Sequence, residues 1–197
     1  MNYGEELAYW YLRLNGFFPI TNFVLHRNAE MPYNSDVDVL AIRPPHVFEA
    51  VGGNESDWDP YLRDNLDFRE IIGLVCEVKT GAYEEERLFQ NQQTRYALGR
   101  LGLFTTAQTE QFLPQLAAAK SASFGGNISI AKLFVSQEQC RSDRYLNRTI
   151  EQLETFLEER VQQYPAEKFG ARMFFSSPLF QGLIDRVHRS IRQRNVA

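Results

Sequence analysis

Asp36 and Asp38 stand two apart ahead of Val39-Leu40-Ala41-Ile42. Glu77 and Lys79 stand two apart at the close of the apolar run Ile71 to Cys76. Side chains at i and i+2 of a strand share a face, so each pair presents its charges together. An acid and a lysine at the end of a buried strand are costly unless an ion pair, a metal ion or a bound phosphate holds them. Two carboxylates and a lysine are also the groups that metal-assisted phosphodiester hydrolysis uses. Magnesium prefers six oxygen ligands. Asp38, Glu77 and the Val78 carbonyl are the candidate protein donors, with water and phosphate completing the shell. Such an ion polarises a phosphoryl group and acidifies a bound water. Lys79 is placed to orient or deprotonate that water, or to offset charge in the transition state. An acid-x-Lys triplet alone is frequent by chance. The competing reading is a structural ion pair at a sheet edge, and what weighs against it is the agreement of the two strand contexts.

These strands need a frame. Leu7, Tyr11 and Leu14 repeat at i, i+4, i+7 and predict a helix over 4–14, with Glu5 and Glu6 in its first turn and Gly16 as its stop. Residues 17–27 and 36–42 read as strands, separated by the turn chemistry of Pro32-Tyr33-Asn34-Ser35. Residues 44–69, with Gly52-Gly53-Asn54 and many acids, read as a long surface insertion carrying a short helix near Tyr61 to Leu66. Residues 71–79 form a third, buried strand. Helices are expected over 84–101 and 109–120, the latter kinked or restarted at Pro114. A fourth strand covers 128–135, and long helices cover 148–164 and 177–193, the last opened by Ser177-Pro178. The order predicts an α/β fold, one mixed sheet with helices on both faces.

The residues then resemble the PD-(D/E)xK nuclease superfamily, whose restriction-endonuclease-like core runs αβββαβ. The resemblance covers roughly 4–135, with the helix near 109–120 as an insertion. It implies Asp38 as the metal-binding aspartate, Glu77 as the second acid and Lys79 as the catalytic lysine. Gly4-Glu5-x-x-Ala8-x-x-Tyr11-Leu12-x-x-x-Gly16 is similar to the first helix of Holliday-junction-resolvase-like members. That implies Glu5 as a further metal ligand, with Glu6 its rival and helix-dipole compensation the alternative role. Gln92 and Tyr96 match the Gln-x-x-x-Tyr of RecB-type members, although the same two residues suit a helix face packed on a sheet. No proline directly precedes Asp36 or Asp38. Asp36 is open as a further ligand, a supporting group or the motif aspartate itself. The resemblance thus implies a Mg²⁺-dependent nuclease, with Mn²⁺ as substitute, acting on DNA. The alternative is a nuclease-like fold kept as a binding module for nucleic acid or protein. The expected organisation is a core over 1–140 and a C-terminal helical extension over 141–197, packed on that core. The extension offers a surface for a homodimer or a protein partner.

The 197 residues carry a net charge of −4, which alone argues against a protein that coats nucleic acid through bulk positive charge. The charge is uneven. Residues 1–70 hold five Lys/Arg against twelve Asp/Glu, whereas 141–197 hold ten against seven. This predicts an acidic metal cleft beside a basic last helix bearing Arg186, Arg189, Arg192 and Arg194. Two cysteines exclude a disulfide scaffold, and His26, His46 and His188 have no zinc-type spacing. Nothing matches a nucleophile elbow or a phosphate-cradling glycine loop. No apolar run is long enough to span a membrane and no secretory pattern opens the chain, so the expectation is a cytoplasmic protein without a membrane partner.

Overall fold

Asn2 caps the first helix, α1 (Tyr3–Leu14). Its side chain accepts the Glu5 N–H at 3.0 Å, and the Glu5 carboxylate accepts the Asn2 N–H in return at 2.9 Å. The expected stripe of Leu7, Ala8, Trp10, Tyr11 and Leu14 is buried. The computed structural model describes residues 2–21, 37–165, 168 and 178–194. The sequence-predicted turn at 32–35 and residue Asp36 lie outside the described residues.

Strand β1 (Phe18–Thr21) pairs antiparallel with β2 (Val39–Arg43), and β2 pairs antiparallel with β3 (Ile71–Lys79). A parallel partner for β3 follows in β5 (Ile128–Ser136), after β4 (Ser121–Phe124). The outer edge of β5 is shared. Strand β4 covers its first half antiparallel, and β6 (Leu146–Thr149) covers its second half in parallel. This six-stranded mixed sheet carries helices on both faces. Leu74, Cys76 and Val78 face α1, α5 (Ile150–Gln163) and α6 (Pro178–Arg194). Val75, Ile130 and Phe134 face α3 (Asn91–Leu101) and α4 (Thr106–Ala118).

Four expectations change. The helix predicted over 84–101 is broken: Glu85–Arg87 is a single 3₁₀ turn and α3 starts only at Asn91. Phe89 lies between them at φ +54°, in the left-handed region. Strands β4 and β6 escaped prediction because four residues are too few to show a period of two. Leu146–Thr149 therefore adds a strand of the central sheet to a stretch expected to be helical. Helix α4 begins earlier than expected, at a capping box between Thr105 and Gln108, and Pro114 lies inside it.

The fourth change concerns residues 44–69. They pack on α1 through Val51, Leu62 and Leu66, and two of their acids are buried. Asp59 accepts the Tyr11 hydroxyl at 2.6 Å and the Arg148 guanidinium at 2.5 Å, while its own N–H donates to Asn15 Oδ1 at 2.6 Å. Arg43, fully buried, lies between the rings of Trp58 and Phe68 at 4.3 and 4.0 Å and donates to the carbonyls of Asn15, Pro44 and Phe68. Helix α2 (Pro60–Asn65) opens with Asp59 as its cap. Part of the early acidic excess thus serves packing rather than chemistry.

Removing one partner of a buried ion pair leaves the other charge desolvated. Asp59→Ala is therefore expected to lower the unfolding free energy by about 3–5 kcal/mol in urea denaturation. A loss below about 1 kcal/mol would place this pair with exposed ones.

Candidate active site

Gly4 lets α1 approach the end of β3. A Cβ there would lie 2.8 Å from Val78 Cγ1 and 2.9 Å from Thr80 Cγ2. The N-terminus of α1 is thereby set beside the residues that close β3. Across the sheet, Val39 pairs with Cys76, and continuing this antiparallel register sets Asp38 opposite Glu77. Alternation then turns Glu77 and Lys79 to the α3 face, while Cys76 and Val78 turn to the α1 face.

The structure brings Asp38, Glu77 and Lys79 together. Asp38 Oδ2 accepts the Val78 N–H at 2.6 Å and the Lys79 ammonium at a longer 3.4 Å. Glu77 is 2% exposed. Its only hydrogen bond among the described residues comes from the Phe89 N–H, 2.7 Å from Oε1. Phe89 is the only non-glycine described residue with positive φ, a conformation that costs on the order of 1 kcal/mol or more. That conformation breaks the predicted helix, and the residue's N–H serves a buried carboxylate.

Burial raises the Asp38 carboxyl above its ordinary range, against the Val78 N–H and the Lys79 charge, and the Glu5 charge adds to the rise. Burial likewise pushes Glu77 up to about 7, opposed by the Phe89 N–H and Lys79 and reinforced by Asp38. Glu5 raises Asp38 and Asp38 raises Glu77, so these carboxylates form a site short of positive charge. It is satisfied by a proton or by a cation. The donor set suits magnesium, which is usually held by one or two carboxylates with waters and substrate phosphate. Among the described residues, no three His, Cys, Asp or Glu side chains gather closely enough to hold an ion unaided.

A cavity of about 340 Å³ opens at this point. Glu77 and Lys79 line it with Ala82, Tyr83, Glu84, Arg87 and Leu88. Lys79 has 37% of its side chain exposed, so its ammonium reaches both Asp38 and solvent. The segment 84–88 belongs to the stretch expected to be helical over 84–101. Its place at the cavity depends on the break at Phe89, which no residue type announces.

The other expected residues fare differently. Glu5 is close enough for its charge to act on Asp38, yet its carboxylate accepts both the N–H and the side-chain amide of Asn2, at 2.9 and 2.6 Å. Gln92 is exposed on α3 and Tyr96 half-buried, and neither lines the cavity of Glu77 and Lys79. The residues α3 buries are Gln93, Thr94, Ala97, Leu98 and Leu101. Cys76 is fully buried, and burial pushes its thiol well above the ordinary range, as expected of an inert core cysteine. The basic last helix does not flank the acids. Leu183, Ile184 and Val187 seat α6 on the α1 and α5 layer, across the sheet from Glu77 and Lys79. Arg186 pairs with Glu158 at 2.6 Å, and the side chains of Arg192 and Arg194 lie outside the described residues. Among the described residues, no helix is long and apolar enough to cross a membrane.

No family model matches this chain, and no curated protein or solved structure matches it.

The raised Glu77 carboxyl has a definite consequence for stability. Below about pH 4.5 the folded and unfolded chains both hold this proton, and the burial of Glu77 carries no ionic cost. As pH rises towards 7 the unfolded chain gives the proton up first, so this group makes the fold progressively less stable. With EDTA present, Glu77→Gln is expected to be stabilised relative to the parent by ~1–3 kcal/mol at pH 8 and by little at pH 4. Denaturation midpoints at the two pH values read this, and an equal difference at both would contradict the assignment.

Proposed function

We propose that this chain is a Mg²⁺-dependent nuclease that hydrolyses DNA phosphodiester bonds at a two-carboxylate-plus-lysine site of PD-(D/E)xK type. The observation that carries the reading is the convergence of Asp38, just ahead of β2, with Glu77 and Lys79 of β3, the latter two lining an open cavity. The element order supports a restriction-endonuclease-like αβββαβ core: α1, three antiparallel strands, then a helical segment and a strand parallel to β3. DNA is the substrate class that the resemblance implies.

Asp38, Glu77 and the Val78 carbonyl would hold the ion, with Glu5 as the outer candidate. A bound Mg²⁺ supplies Lewis acidity to the phosphoryl group and acidity to an attacking water. The chain's own residues do the rest. The Val78 and Phe89 N–H groups fix the two carboxylates before substrate arrives. Asp38 steadies the Lys79 ammonium at the cavity wall, where its charge can meet a phosphate oxygen and its protons can orient water. Gln92 and Tyr96 would enter only through contacts with substrate beyond the cavity.

A second reading is a nuclease-like fold that binds nucleic acid or protein without turnover. It is favoured by Glu5, whose two carboxylate oxygens both close the cap of α1 with Asn2.

Cleavage assays separate the two. With Mg²⁺ or Mn²⁺, the parent chain is expected to cut plasmid, branched or single-stranded DNA. Lys79→Ala should lose roughly two orders of magnitude or more in rate with its circular dichroism unchanged. Cleavage by Lys79→Ala at the parent rate would remove the lysine from the mechanism. No cleavage by the parent, with no Mn²⁺ heat in calorimetry, would favour the binding module.

A further inference from the structure

Lys132 is central in β5 and pairs in register with Val75, so it lies on the sheet face that α3 and α4 cover. The residue is 2% exposed. A buried ammonium ordinarily has a carboxylate partner, but among the described residues this one has none. Among the described residues its only hydrogen bond goes to the Ala117 carbonyl at a long 3.4 Å, and its Nζ sits 5.8 Å from the centre of the Phe89 ring. It lines a cavity of about 380 Å³ that also takes in Gln90, Asn91 and Arg144. This cavity shares only Leu88 with the one lined by Glu77 and Lys79.

Two further features give that cavity its character. Helix α3 begins there. It is eleven residues long, and Gln90 offers no side-chain cap to its first turn. The opening N–H groups of a helix have no acceptor within the helix and carry partial positive charge. Arg144 is the second feature. It lines the same cavity, and its charge adds to burial in holding the Lys132 amine down to about 8. Arg144 also reaches Glu85 at 3.3 Å, and Glu86 brings an opposing carboxylate to the lining.

The geometry points to an anion site: the cavity receives a single phosphate group, contacted by the Lys132 ammonium and the first N–H groups of α3, with Arg144 at its mouth. A dianionic oxyanion suits a lysine without a counter-ion and a helix start without a cap. The group is either free inorganic phosphate or the terminal phosphate of a nucleic-acid strand. The site does not rest on the nuclease reading, because the residues that form it are not those assigned to catalysis.

The test uses the full chain in EDTA, so that no metal draws phosphate to the acids. Calorimetry and thermal shift are followed with inorganic phosphate, with chloride at equal ionic strength, and with a single-stranded oligonucleotide bearing either a 5′-phosphate or a 5′-hydroxyl. Saturable binding of phosphate, or a preference for the phosphorylated oligonucleotide, is expected, and the stronger of the two identifies the source. Lys132→Met should weaken that binding roughly tenfold or more while the denaturation midpoint holds or rises, since a buried unpaired charge is replaced by an apolar chain of similar length. Asn91→Pro is the second variant. Proline is tolerated at the first helical position and removes one N–H there, and Gln90 at ψ 143° already has the conformation that precedes proline. It should weaken phosphate binding about threefold to tenfold with the fold intact. Chloride matching phosphate, or phosphate and phosphorylated-strand binding unchanged in both variants, would overturn the site.

Discussion

The buried carboxylate of Glu77 is the constraint around which the α3 side of the molecule is arranged. It closes a strand whose preceding residues are apolar, and it is almost fully withdrawn from water. One backbone N–H, from Phe89, reaches it, and supplying that N–H requires a left-handed phenylalanine and an interrupted helix. The interruption has two effects. It turns residues 82–88 into the wall of an open cavity, and it starts α3 afresh without a side-chain cap. A helix running through from 84, as the residue pattern suggests, would have removed both the N–H and the cavity.

The opposite layer positions rather than reacts. Gly4 admits α1 to the end of β3, and the box between Asn2 and Glu5 starts that helix at a defined residue. Residues 44–69 are bound into the same layer by charge as well as by apolar contact. Asp59 joins Tyr11, Asn15 and Arg148, while Arg43 is clasped between two aromatic rings. Arg148 belongs to β6, so these contacts connect the segment before β3 to the strand after β5. The charge imbalance along the chain follows from this. Some early acids hold the fold, Asp38 and Glu77 are drawn to one end of the sheet, and α6 lies on the far side of it.

Much of this was legible in the residues. The stripe of α1, the nine-residue run of β3 and the apolar β5 announced themselves by period and length, and with them came the shared face of Glu77 and Lys79. Asp38 was found because an apolar run follows it. What escaped detection was decided by tertiary context. Strands β4 and β6 are edge segments of four residues, specified by what they pair with rather than by their own pattern. The conformation of Phe89 cannot be inferred from its type, since phenylalanine disfavours positive φ. Lys132 reads in sequence as one lysine amid apolar residues, and only the fold shows it buried with no counter-charge among the described residues. Gln92 and Tyr96 matched a spacing, but the break before α3 set which of its faces meets the sheet.

On the proposed function, Asp38 and Glu77 hold one divalent cation beside Lys79. A crystal soaked in Mn²⁺ and measured at the manganese absorption edge tests it directly. The expected result is an anomalous peak with one oxygen of each carboxylate at about 2.1–2.2 Å, distances typical of small divalent ions with oxygen ligands. No peak at that position in a well-soaked crystal, or a peak bound by other residues while Asp38 and Glu77 keep their present partners, would contradict it.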